Sequence, residues 1–216
     1  MHSLVALLPT VQLDTRIRTL RTADLAEFHA YRSDADLAKY QGWSPMSMES
    51  ARSFIDEMAS VSGLQPGKWT QMAIADSRSN EILGDVGLYL EPDESASEIG
   101  FTLCRAAQGR GHATRAVSLS LSLLFAASSV PLVRAVTDAR NLSSVRLLER
   151  TGFTRSCVQQ TVFKGEPCTE LLYICRRPDA SPLVQAEPNR RPPGPVWRYA
   201  VHFHQPGPGV AQPVPA

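Results

Sequence analysis

No run of apolar residues in this 216-residue chain approaches the ~20 that a membrane-crossing helix needs. The one stretch that resembles a leader, Leu4 to Leu8, is too short for a signal core and has no Lys/Arg-rich segment before it, so a cytoplasmic protein is expected. Charge of one sign is also missing. Lys and Arg number 22 against 21 Asp and Glu, a net +1, which is too little for the basic face that nucleic acid or an acidic membrane surface would require. Cysteine is sparse: Cys104, Cys157, Cys168 and Cys175 form no CxxC pair and have no histidine at zinc-ligand spacing. Neither a metal ribbon nor a redox motif is therefore expected, and isolated thiols beside apolar residues suit a reducing compartment. What the chain does have is core material, with 43% hydrophobic residues against 20% charged.

Ten of the 16 prolines fall between Pro178 and Pro215, and this shift in composition sets a domain boundary near residue 177. Proline fixes φ and removes an amide donor, so residues 178–216 are expected to be largely extended or disordered. Val196 to His204 alternates and could pair as an edge strand, with His202 and His204 on one face. Two histidines are too few for a metal site. Residues 1–15 read as an N-terminal extension, which leaves 16–177 as the domain.

Within that domain the period of hydrophobicity changes along the chain. Arg16–Leu20 alternates as a strand, Thr22 or Asp24 can cap a helix carrying Leu25 and Phe28, and Ser47 can cap a helix whose inner face is Ala51, Phe54, Ile55 and Met58. From Trp69 the period is two: 69–75, 82–91 and 97–103 read as three strands of an antiparallel meander. A Gly-rich loop and a long helix over about 113–127 follow. Then come a short strand, Val133–Thr137, a helix ending at Gly152, and a hairpin of 153–163 and 168–176 across Lys164–Pro167. These elements predict a mixed, mostly antiparallel α/β sheet with helices on both faces.

The loop between Leu103 and Thr114 is built to hold an anion. It joins a strand to a helix through two glycines, so the amides of Gly109, Arg110, Gly111, His112, Ala113 and Thr114 can face phosphate oxygens at the positive end of a helix dipole. Arg105 and Arg110 could add mobile charge. The loop is not a Walker loop, which has Lys-Ser/Thr after its last glycine where His112 and Ala113 stand. It also departs from the dinucleotide fingerprint, because Thr114 occupies the place of the third glycine.

Gln108, Gly111 and Ala113 instead fit Gln/Arg-x-x-Gly-x-Gly/Ala, and with "SEIGFTL", "VTDARNLSSVRLLERTGF" and "RIRTLRTADLAEF" the span Arg16–Arg176 resembles the GCN5-related N-acetyltransferase (GNAT) superfamily in its RimJ/RimL-like branch. The resemblance implies an acyl-CoA N-acyltransferase fold, with the sheet splayed between the family's fourth and fifth strands. It further implies acetyl-CoA as co-substrate, with pyrophosphate on amides 109–114, pantetheine along Phe101, Thr102 and Leu103, and Asn141 bonding its amide. The thioester oxygen would meet the backbone N–H near Leu103, a donor of the oxyanion-hole kind.

The implied reaction is N-acetylation of a primary amine by direct attack in a ternary complex. It needs a base for the ammonium and an acid for the departing thiolate. Glu98, in the strand just before the splay, is the candidate base, and its plainer reading is a solvent-facing strand carboxylate. Many family members carry a tyrosine seven residues after the asparagine, where this chain has Leu148; Ser144 is then the candidate acid, against a plain capping role. His112 replaces a more frequent aromatic of the loop, and Arg115 a frequent glutamate, at what reads as an exposed helix position. Glu170 reads as a family acid or an edge ion pair. Tyr40 and Trp43 read as acceptor-site wall or core aromatics.

The acceptor implied is a protein N-terminus or a small amine, with no nucleic acid, membrane or metal involved, in a monomer or a homodimer. A coenzyme-binding sensor or interaction module without turnover is the competing reading, and Leu148 in place of tyrosine is its best support.

Overall fold

A computed structural model of the protein describes residues 4–178. Eight strands form one sheet: β1 (Thr10–Gln12), β2 (Thr15–Thr19), β3 (Trp69–Asp76), β4 (Ile82–Leu90), β5 (Ser97–Leu103), β6 (Leu132–Asp138), β7 (Thr154–Phe163) and β8 (Glu166–Arg176). Their order is β1-β2-β3-β4-β5-β6-β8-β7, antiparallel throughout except for β5 beside β6. Among the described residues there are five α-helices: α1 (Leu25–Arg32), α2 (Ala35–Ala38), α3 (Met48–Ser60), α4 (His112–Ala127) and α5 (Leu142–Arg150).

Strand alternation divides the apolar residues between two cores. On one face Ile74, Val86, Leu88, Ile99 and Leu103 meet Val117, Leu121 and Leu124 of α4 and Leu147 and Leu148 of α5. On the other, Ala73 and Ile82 lie under Phe28, Tyr31, Phe54, Ile55 and Met58 of α1 and α3. Ser47 caps α3 through its Oγ, which accepts from the Ser50 amide at 3.1 Å. The mixed sheet with helices on both faces is as the sequence predicts.

The parallel pair β5/β6 positions the site. It holds together only at Ser97 with Val133 and Glu98 with Arg134. Past Glu98, β5 stays on β4 as far as Leu103, while β6 stays on β8 as far as Asp138, so the sheet opens in a wedge. This is the splay that the family resemblance implies, shifted by one in strand number because β1 precedes the first strand read from the sequence.

The structure adds detail where the pattern is short. In the segment set apart as an N-terminal extension, Leu4 is buried in the core and Thr10–Gln12 pair with β2. Three residues cannot show a period of two. The last hairpin turns at Lys164 and Gly165 alone, both at positive φ as a primed two-residue turn requires, so β8 begins at Glu166 rather than Cys168. Pro167 is tolerated there because β8 pairs with β6 only from Glu170 onward. Residues 179–216, including Val196–His204 with His202 and His204, lie outside the described residues.

Candidate active site

The open edge of β5 leads into the Gly-rich loop. Gly109 and Gly111 have φ of +73° and +82°, the left-handed region that a side chain adopts only with strain. Arg115 N–H donates to Gly111 O at 3.2 Å, so the amides of residues 112–114 precede the helical ladder of α4. Nothing lies within 4 Å of a side chain built at Gly109. A strand end, two left-handed glycines and a helix start therefore form a cradle of donors that fits a pyrophosphate. On the open edge, side-chain amides hold two carbonyls: Gln41 Nε2 donates to Phe101 O at 3.3 Å and Gln108 Nε2 to Leu103 O at 3.1 Å.

The charges near the loop differ from the expectation. The Arg105 guanidinium bonds Asp34 at 2.7 Å and Asp36 at 2.9 Å on α2, so it ties the loop to the helices instead of standing free for phosphate. Arg110 is exposed. Arg115 is no bland surface residue: its guanidinium bonds Thr15 Oγ1 at 2.9 Å, Arg110 O at 2.9 Å and Asp14 at 2.6 Å, and so braces the loop against β2. His112 is buried with Nδ1 2.9 Å from Thr15 Oγ1, and burial lowers its pKa despite Asp14 nearby.

On the other face of the wedge, one row of side chains is fixed by register. Directly opposed residues of antiparallel strands share a face. Glu98 lies beside Tyr89, Gly100 beside Gly87 and Thr102 beside Asp85, with Trp69 and Gln71 next along on β3. The two glycines make a hollow under Trp69, whose ring would stand 3.0 Å from a Cβ at Gly87 and 3.9 Å from one at Gly100. Trp69 also packs on Tyr89, with ring centroids 5.6 Å apart.

Two cavities meet across this hollow and share Gln41, Trp69 and Gly100. The larger encloses about 630 Å³ including its open mouth, and Glu98, Asp138 and Glu170 line it together with Tyr40, Trp69 and Phe163. Asp138 is neutralised by Arg140 at 2.7 Å, and Glu170 accepts from Gln159 at 2.9 Å, a hydrogen bond in place of the ion pair weighed from sequence. Of the two aromatics, Tyr40 walls this cavity, whereas Trp43 walls the smaller one and stacks on Arg32.

Glu98 is the most perturbed carboxyl at the site. Burial, with the charge of Glu91 and against the attraction of Arg134, raises its pKa from the ordinary 4.5 to about 8, and Glu170 adds to the rise. A carboxyl so placed exchanges a proton near neutral pH, as an acid–base group must. Asn141 caps α5 through its side-chain oxygen, which accepts the Ser144 amide at 3.3 Å. Neither residue lines the two cavities, so the structure groups Glu98 with Glu170 and Trp69 rather than with Ser144. Leu148 is buried in the core.

Sequence reasoning missed Arg32, Gln41, Trp69 and Asp85 as residues that line these cavities. For Trp69 the pair Gly87 and Gly100 was the available signal, since glycines inside two neighbouring strands mark a close approach of something bulky. Among the described residues, no cluster of three or more His, Cys, Asp or Glu could hold a metal, and no helix is long and apolar enough to cross a membrane.

Comparison with known proteins agrees with this geometry. The chain is 26% identical over 148 residues to an uncharacterized N-acetyltransferase p20 of Bacillus licheniformis, covering 66% of this chain and 82% of that protein. Its fold superposes on a ribosomal-protein-S5-alanine acetyltransferase from Vibrio fischeri with TM-score 0.69 at 18% identity, over 81% of this chain and all of that one. A spermidine N-acetyltransferase from Vibrio cholerae, solved with CoA and spermine, superposes with TM-score 0.65 at 16% identity, over 76% and 95% of the two chains. Residues 14–154, well over half the chain, match the model of the acetyltransferase (GNAT) domain. With its splayed sheet, its amide cradle at α4 and this match, the chain belongs to the GNAT family of acetyltransferases, which use acetyl-CoA as co-substrate.

Proposed function

We propose that the enzyme acetylates the α-amine of a peptide or similar acceptor, by direct attack on the thioester of acetyl-CoA within a ternary complex. The observation that carries this reading is the placement of Glu98. It lies at the last paired position of β5 and β6, on the wall of an acidic and aromatic cavity that opens where the wedge opens. Carboxyls and ring faces suit an arriving ammonium.

Acetyl-CoA supplies the activated acyl group; the protein's residues do the rest. Amides 109–114 hold the pyrophosphate, the strand edge at Phe101, Thr102 and Leu103 aligns the pantetheine, and Asn141 borders that path. Glu98 takes the proton from the ammonium as the amine attacks. Burial raises its pKa to about 8, so the carboxylate is basic enough to take a proton from an ammonium near neutral pH. Ser144, near the start of α5, is proposed to give its proton to the departing thiolate and to regain one from the attacking nitrogen, which loses its second N–H proton as the tetrahedral intermediate collapses.

One observation favours a second reading. Leu148 is buried in the core where many family members carry a tyrosine, which suits a coenzyme-binding sensor without turnover. Thiol release from acetyl-CoA, measured against N-terminal peptides and small amines, separates the two. Turnover with peptides is the expected result; tight coenzyme binding with no release for any amine supports the sensor.

A further inference from the structure

One wall of the larger cavity is a short loop that is held from outside. Tyr40, Gln41 and Gly42, between α2 and α3, line that cavity, and so does Phe163 at the tip of the β7–β8 hairpin. Lys164, the next residue, does not line it. Its Nζ donates to Ala38 O at 2.8 Å and to Trp43 O at 2.7 Å, so a single ammonium holds both ends of the loop. Ala38 O also accepts the Gln41 amide at 3.0 Å, which sets the turn that sends Gln41 Nε2 to Phe101 O on the open edge of β5. The same ammonium lies 5.6 Å from the centroid of the Phe163 ring. It thereby joins the loop wall to the hairpin wall. Taking the ammonium partly out of water for these contacts lowers its pKa.

The turn itself gives no reason for a lysine. Lys164 and Gly165 are its two central residues, at φ of +50° and +85°. Turns of this kind favour asparagine or aspartate before the glycine, because a long side chain is strained at positive φ. A residue kept against its backbone preference marks a side chain with a role of its own. We propose that Lys164 is a positioning residue for the acceptor, fixing Tyr40, Gln41 and Gly42 as the wall against which the amine-bearing group is held. It acts through that loop and touches none of the reacting atoms. The inference rests on the reading that the larger cavity receives the acceptor amine.

The test is Lys164→Asn, which suits the turn better and removes the ammonium. It uses whichever amine the wild type turns over fastest in a panel of N-terminal peptides and small amines. KM for that amine should rise ~10-fold, the worth of one hydrogen bond from a charged donor, while kcat stays within about twofold. Acetyl-CoA affinity by calorimetry should be no weaker, and the melting temperature should not fall, because asparagine relieves the turn. Lys164→Arg, which keeps a charged donor on a long stem, should recover part of the loss in KM. An unchanged KM in Lys164→Asn, or an equal loss in Lys164→Arg, overturns the positioning role and leaves amine acetylation standing. A lower melting temperature with kcat, KM and coenzyme affinity all impaired makes the contacts structural alone and overturns it as well. If the wild type releases thiol with no amine of the panel, the acceptor reading falls and this inference with it.

Discussion

The two sides of the wedge are made of different material. The side proposed for the coenzyme is backbone: a strand edge, two left-handed glycines and the amides that open α4. The side proposed for the acceptor is side chains drawn from distant positions, with Arg32 meeting Asp85 across 53 residues and Trp69 lying over Gly87 and Gly100. A cradle of amides recognises phosphate whatever residues flank it, so it suits a co-substrate shared by a whole family. A pocket of side chains can be changed one residue at a time, and on the proposed reading the acceptor is chosen there.

If that division is right, the coenzyme side should be intolerant of backbone change. Gly111→Val should abolish measurable acetyl-CoA binding, because φ of +82° is strained for valine and its side chain would displace Arg115, 2.7 Å from the Cβ position. Circular dichroism should show the fold retained. Unaltered affinity by calorimetry would remove the loop from coenzyme binding.

A smaller effect is expected from Ser144→Ala, which should lower turnover ~10-fold with coenzyme affinity unchanged, since Asn141 and not Ser144 caps α5. No change in turnover would leave Ser144 outside the chemistry.

Stability should report the half-buried Glu98 carboxyl with a definite sign. Glu98 binds its proton more tightly folded than unfolded, so its contribution to stability is full below about pH 4.5 and is lost as pH rises through about 8. Glu98→Gln should therefore melt higher than the wild type at pH 9, by a few degrees. The reverse order would mean that the carboxylate is held by bonds stronger than its burial.

The smallest effect should come from the end of the chain. Truncation after Pro178 spares Arg177, which donates to the carbonyls of Phe125, Ser128 and Val130, and should leave the melting temperature nearly unchanged. A large drop would show that the proline-rich segment packs on the domain.

The same contrast explains what could be read from the sequence. Glycines at 109 and 111 between a strand and a helix state their conformation locally, so the loop and the helix after it were legible, and alternation made the meander of three strands before them legible too. Glu98 was legible by alternation with Ile99 and Leu103. Arg32 was not: one arginine at a helix end has no local mark of a partner two strands away, and its meaning appears only when β4 brings Asp85 beneath it. Arg115 was misjudged for the same reason, because Asp14 and Thr15 reach it across the fold. Short elements such as Thr10–Gln12 and Ala35–Ala38 lack the length to show a period.

The central claim, that Glu98 accepts the ammonium proton, is tested by the pH dependence of kcat/KM for an N-terminal peptide in wild type and Glu98→Gln. In the wild type the rate should climb to about pH 8, as Glu98 becomes ionised while the amine still carries its proton. The variant should be slower by ~10² or more below pH 8, and the gap should narrow above it as solvent supplies free amine. Equal rates at every pH, or a loss that stays constant to pH 10 with weakened acceptor binding, would contradict the assignment.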